Sequence, residues 1–255
     1  MAAAAEWISR SEARCNSCGQ VGPPSVEHLI HLAIGRVIFA DASLDRPALE
    51  SRLRADRWAE FLCVHPGKRN RRAALADAKV DNLICRKCNE GWANDLEIKA
   101  GAELNRFLFE DGAANARLLR RWIWFFCAKA AWIDSRTEAL RSGPLQPMFK
   151  GFADPIRVPS QVRVAQLQAD PDRWAFELVV PLGVPEGVPL SMMLVIRGTA
   201  FFAVPRDVDG TNPLPFPTTE LTAGIRLRRD VPRIQAGAVA LLPATQAILT
   251  AAPEI

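Results

Sequence analysis

The spacing of apolar residues is mostly helical up to Asp134 and strand-like beyond Pro155. From Asp45 to Val64, "DRPALESRLRADRWAEFLCV" sets Leu49, Leu53, Trp58, Phe61 and Leu62 at roughly helical intervals, with Pro47 near the first turn, where a missing amide is tolerated. The pattern predicts a helix. In "GWANDLEIKAGAELNRFLF", Trp92, Leu96, Ala100 and Leu104, continued by Phe107 or Leu108, share one helical face. A further helix is expected from Ala114 to Asp134, where Leu118, Trp122, Phe125, Phe126 and Trp132 leave little of the circumference polar, so it must be buried. Its densest stretch, "WIWFFCAKAAWI", is 12 residues long and contains Lys129, too short and too charged to cross a bilayer.

Strand signals are shorter. "KVDNLIC" (Lys79–Cys85) reads as one strand, and beyond Pro155 come "RVPSQVRVAQLQ", "WAFELVVPLG", "PLSMMLVIRGTAFFAVP" with an Arg-Gly turn, and "AGIRLRR", all separated by Pro and Gly. The expected class is α+β. One stretch resists assignment: "SVEHLIHLAIG", Ser25 to Gly35, carries His28 and His31 three residues apart. In a helix they stand nearly a turn apart, and in a strand they face opposite sides.

At 255 residues and 49% hydrophobic, the chain can bury an ordinary core. The first residues, "MAAAAEWISRSEARC", have no apolar run of the kind a secretory signal needs, so a cytoplasmic protein is expected, with no membrane partner. The net charge of +4 is modest, but "PGKRNRR" (Pro66–Arg72) concentrates Lys68, Arg69, Arg71 and Arg72 in a Pro/Gly-broken loop suited to phosphates.

Four of the six cysteines form two C-x-x-C pairs, Cys15/Cys18 and Cys85/Cys88, the spacing that lets two thiolates share one metal ion. They are expected to bind a structural zinc ion. Cys63 and Cys127 stand alone in apolar surroundings and read as core residues. Simple zinc ribbons separate such pairs by roughly 12 to 20 residues. Here 66 residues intervene, and they hold all three histidines, His28, His31 and His65. No His or Cys follows Cys127, so the chemistry belongs to the first half.

Taken together, "CNSCGQ", "SVEHLIHLAIG" and "VDNLICRKCNEGWANDLE" resemble the zinc-knuckle branch of the HNH endonucleases, with Cys88, Asn89, Gly91, Trp92, Leu96 and Glu97 matching the residues after its second knuckle. The resemblance covers about the first half of the chain and extends more weakly to "RRWIWFFCAKAAWI". It implies a ββα-metal domain over residues 1–112 with a helical insertion, followed over residues 113–255 by a helix and a small, mostly β region.

Carried over by position, the resemblance implies His28 as general base and Glu27 and Asn94 as ligands of a catalytic Mg²⁺, Mn²⁺ or other divalent ion. It implies Asn82 as the residue that orients His28. Glu97, three residues after Asn94, shares its helical face. The chain departs from the pattern at His31, where the group generally has Pro, and at Asn82, which lies three residues before Cys85 instead of about five. The activity implied is hydrolysis of phosphodiester bonds in nucleic acid, DNA first, in a family that often accompanies mobile elements or phage defence. The alternative is a zinc-stabilised nucleic-acid or protein binding module without turnover.

Overall fold

The computed structural model describes residues 14–55, 60–63, 71–74, 79–133, 160–168, 175–179, 191–205 and 217–235. The protein is of mixed α and β structure, with helices and largely antiparallel sheets. Cα packing divides it into two units: Met1–Ala102 with Trp124–Val158, and Glu103–Ile123 with Pro159–Ile255.

In the first unit, β1 (Pro24–His28) pairs antiparallel with β4 (Lys79–Cys85). The register sets Glu27 opposite Val80 and His28 opposite Lys79, with an irregularity between Pro24 and Val26. Alternation along β1 sends Ser25 and Glu27 inward and Pro24 and Val26 outward. Its inward positions are therefore polar and need partners. Ser25 finds one in the Ile84 carbonyl, 2.7 Å away. Past His28 the chain leaves the strand, buries Leu29 and Ile30, and restarts as α1 (Leu32–Ile38).

The segment from Asp45 to Val64 is not one helix. Only Arg46–Ala55 is helical (α2), capped by Asp45, whose carboxylate accepts the Ala48 amide at 2.8 Å. Glu60–Cys63 is instead a strand, β2, paired antiparallel with β3 (Arg71–Ala74). Adjacent Phe61 and Leu62 suit either structure, and the ladder to β3 decides between them. Arg71 and Arg72 thus belong to a strand, not to a loop, while His65, Lys68 and Arg69 lie outside the described residues.

After β4, the helical turn Arg86–Cys88 runs into a wide turn over Asn89–Ala93 that breaks at Gly91, so that α3 starts afresh at Asn94 and continues to Phe109. Asp95 and Glu97 in its first turn complement the positive end of its dipole. Helix α4 (Ala116–Ile133) is buried without a break from Trp122 to Ala130, as its apolar circumference requires. No helix among the described residues is long and apolar enough to cross a membrane.

The second unit is built on a sheet ordered β10-β5-β8-β7-β6, where β5 is Ser160–Gln168, β6 Ala175–Val179, β7 Ser191–Ile196 and β8 Thr199–Pro205. β9 (Thr219–Glu220) runs antiparallel beside Arg163 and Val164, and β10 (Arg233–Gln235) runs parallel beside Gln166–Gln168. The Arg-Gly turn joins β7 to β8, with Arg197 at φ 51° and Gly198 at φ 71°, the left-handed pair that a two-residue hairpin demands. "AGIRLRR" is not a strand. Asp230 accepts the Arg226 amide at 2.8 Å, and this local bond closes a helical turn, α5 (Leu227–Asp230). Phe107 of α3 packs on Phe201 of β8, with ring centroids 6.4 Å apart.

Close approach of α3 to α1 depends on Gly101, where a Cβ would stand 2.9 Å from both the Ala33 carbonyl oxygen and the Ala33 Cβ. Backbone cannot yield as a flexible side chain can. Gly101→Ala is expected to destabilise the protein by about 1–3 kcal/mol, the usual range for overpacking. Urea denaturation checks this, and an unchanged midpoint would show that the helices separate freely here.

Candidate metal cluster and adjoining cleft

The two knuckles meet. The sulfur atoms of Cys15, Cys18, Cys85 and Cys88 all lie within 4.8 Å of one another, an arrangement that can hold a metal ion such as zinc. With Zn–S bonds of about 2.3 Å, a tetrahedral site has sulfurs about 3.8 Å apart, and Cys18 Sγ stands 3.9 Å from Cys85 Sγ. The backbone supports the cluster: the amides of Cys18 and Cys85 donate to Cys15 Sγ at 3.4 and 3.2 Å. Burial opposes ionisation of Cys15, but these amides and that of Ser17, with the Cys18 thiol, outweigh it and bring the group down to about 7. Burial pushes Cys88 the other way, up to about 12, so a metal there displaces protons as it binds.

Further bonds lock the first knuckle to its surroundings. Asn16 Nδ2 donates to the Leu83 carbonyl of β4 at 2.8 Å. Trp92, expected in the core, is half-buried against Phe125 at 5.2 Å and donates its indole N–H to Ser17 Oγ at 3.1 Å. It joins the second knuckle to the first.

Beside the cluster lies a cleft of about 380 Å³ lined by Val26, Glu27, His28, His31, Arg46, Asn89, Glu90, Asn94 and Glu97. Several elements converge there. The end of β1 gives Val26, Glu27 and His28, the start of α2 gives Arg46, and the wide turn with the start of α3 gives Asn89, Glu90, Asn94 and Glu97, while His31 comes from the N-cap of α1. Glu27, His28 and Asn94 are thus brought to one cleft, with Glu97 beside them. Asn82 lies on β4, but the register places Lys79 across from His28. The carboxylate within reach of His28 is Glu50 of α2, with Oε1 3.8 Å from Nε2.

His31 does not stand apart from His28. The chain between them is neither helix nor strand, so neither periodicity applies, and His31 lines the same cleft as the N-cap of α1. Its Nδ1 accepts the Ala33 amide at 3.2 Å. In the neutral ring Nε2 therefore carries the proton and donates to Asn94 Oδ1, also at 3.2 Å. Burial lowers the His31 pKa, which favours this neutral form. Burial, followed by Arg46, also lowers that of His28, leaving it neutral and able to accept a proton.

Lys129 lies beneath the cleft, fully buried on α4, with Nζ 2.5 Å from Glu97 Oε1 and 3.7 Å from Glu27 Oε2. Its burial disfavours charge, but the carboxylates of Glu97 and Glu27 outweigh it and raise the Lys129 pKa. Glu27 is pushed up to about 7 by burial, with Glu97 adding to the shift and Lys129 opposing it. Its Oε1 is buried with no hydrogen-bond partner among the described residues. Sequence reasoning passed over Lys129, Arg46 and Glu50 as site residues. The signal for the first was present: a single charge inside an otherwise apolar helix needs a buried partner.

Compared with known proteins, the chain matches no family model, no curated protein and no solved structure.

Two outcomes test this arrangement. Cys85→Ser is expected to lower zinc content and destabilise the first unit together, read by elemental analysis and thermal denaturation; protein that is free of zinc as purified would exclude the zinc assignment. Lys129→Met leaves two buried carboxylates without their cation and is expected to cost about 3–5 kcal/mol. A stability within 1 kcal/mol of the parent, read in urea at the ~1 kcal/mol scale of a minor substitution, would show that the three groups are not held as a unit.

Proposed function

We propose that the protein is a metal-dependent endonuclease of the HNH type that hydrolyses phosphodiester bonds of nucleic acid. The observation that carries this reading is the convergence of Glu27, His28 and Asn94 on one cleft beside the four-thiol cluster. Glu27 offers a carboxylate oxygen without a partner and Asn94 an amide oxygen, a hard donor set that fits Mg²⁺ or Mn²⁺. When bound there, such an ion supplies positive charge against the phosphate and the leaving oxygen.

The remaining work falls to the chain's own groups. Neutral His28 takes the proton of the attacking water. Because Nε2 faces Glu50, that carboxylate favours a proton on Nε2 and leaves Nδ1 as the accepting atom, then stabilises the imidazolium. His31 cannot share this role, since its Nδ1 is engaged by the Ala33 amide and its Nε2 already bears a proton. It positions Asn94.

One observation favours a second reading, a zinc-stabilised binding module without turnover: Lys129 already partly neutralises the two carboxylates, as a purely structural cluster requires. Plasmid nicking with Mg²⁺ or Mn²⁺ against EDTA separates the two. In the nuclease, His28→Ala is expected to lose roughly 10²-fold to 10⁴-fold of activity with zinc content unchanged. His31→Ala is expected to lose less activity but about 1 kcal/mol of stability, because it removes a helix cap. Cleavage by both variants at the parent's rate, or none by the parent with any divalent metal, would remove the nuclease reading.

A further inference from the structure

The cleft contains a cation that neither the four-cysteine cluster nor the general base uses. Arg46 is the first residue of α2, which comes from the long segment between the knuckles. Its Nη1 donates to the Ile30 carbonyl at 3.0 Å, which ties the guanidinium to the bend that joins His28 to His31. The side chain is half-buried and lines the cleft with Glu27, His28 and Asn94.

Lys129, a cation beneath the cleft, is fully buried and engaged by Glu97 and Glu27. Arg46 differs. Among the described residues it forms no ion pair within 4.0 Å, and Ile30 is its hydrogen-bond partner. Glu50 and Glu97 act on it only through space. A guanidinium presents five donors in a rigid fork and stays charged at any ordinary pH. Removing it partly from water while most of that fork is unused is unfavourable, unless an anion completes the pairing.

A fork matches the geometry of two oxygens on one phosphorus. Glu27 and Glu97 are already partly offset by Lys129, which reduces the negative charge facing an anion at Arg46, and a phosphodiester offers two non-bridging oxygens to the fork. We propose that Arg46 is a phosphate-binding residue of this cleft, gripping the non-bridging oxygens of a nucleic-acid phosphodiester; the nucleic-acid part rests on the function proposed above. The segment between the knuckles then completes the site, because the helix it forms carries one of its binding groups.

The test uses the full chain and a fluorescein-labelled DNA duplex without added Mg²⁺ or Mn²⁺, so that binding is read without cleavage. Removing one phosphate contact lowers the slope of log affinity against log salt concentration by about 0.9. Arg46→Ala is expected to show that lower slope and an affinity about 10-fold to 100-fold weaker at low salt, the range of a hydrogen bond to a charged group. Arg46→Lys keeps the charge and loses the fork; it is expected to keep most of the slope while binding several-fold more weakly, and it stands in if the Ala variant fails to fold.

An affinity and slope equal to the parent's in both variants would overturn the proposal, as would a loss of affinity in Arg46→Ala with an unchanged slope, which marks a structural role. These outcomes are independent of catalysis. A parent that binds the duplex through Arg46 yet cuts nothing would sink the nuclease reading and leave the phosphate site standing. One that cuts DNA, with both Arg46 variants cutting and binding equally well, would do the reverse.

Discussion

Cys15 and Cys85 stand 70 positions apart in the chain, yet the Cys85 amide donates to the Cys15 sulfur, and most of the first unit follows from that closure. Bringing the knuckles together fixes both ends of the segment between them and aligns β1 with the end of β4. Once Pro24 stands opposite Cys85, the register carries Glu27 and His28 to the far end of the pair. The second knuckle also determines where α3 begins. Asn94 and Glu97 therefore face the same cleft as Glu27, though 67 positions separate Glu27 from Asn94. Closing so long a loop has an entropic cost that grows only slowly with length, and four metal–sulfur bonds would exceed it. A long insertion is thus compatible with a short-range cluster of four cysteines.

Closure alone places carboxylates where water is scarce. Glu27 and Glu97 are both buried, and without a cation they would repel each other. Lys129 supplies that cation from α4, a helix whose other inward positions are apolar. A buried ion pair of this kind is weak as a source of stability but strict as a constraint, because each charge tolerates few positions other than beside its partner. It holds α4 against the end of β1, where Lys129 also reaches the His28 carbonyl at 3.4 Å. Among the described residues Glu27 Oε1 is buried without a hydrogen-bond partner. Charge balance beneath the cleft is thereby incomplete, with one lysine against two carboxylates.

What could be read in the sequence was whatever repeats at short range. Cysteine spacing identified the four thiols that come together, apolar spacing found α3 and α4, and the Arg-Gly dipeptide marked the hairpin between β7 and β8. Misreadings came where a local pattern admits two structures. Phe61 and Leu62 fit a helix or a strand, and pairing with Arg71–Ala74, distant in sequence, chose the strand. "AGIRLRR" has strand composition, yet one carboxylate three residues further on than Leu227 closes a helical turn around it. His31 escaped because the chain changes structure between it and His28, so that no single period relates the two. Arg46 and Glu50 could not be tied to the cleft at all, since only the tertiary fold brings α2 over the end of β1.

The motif residues and the rest of the cleft answer different physical demands. Glu27, His28 and Asn94 are the groups that the proposed reaction would use, and they sit on elements that adjoin the four-cysteine cluster. Lys129 and Glu50 adjust the field around those groups, and they come from α4 and α2. Field residues need only charge and approximate distance, so several elements can supply them, whereas a proton acceptor and a metal ligand must be correct to within a fraction of an ångström. That difference explains why the first set follows a recognisable spacing and the second does not.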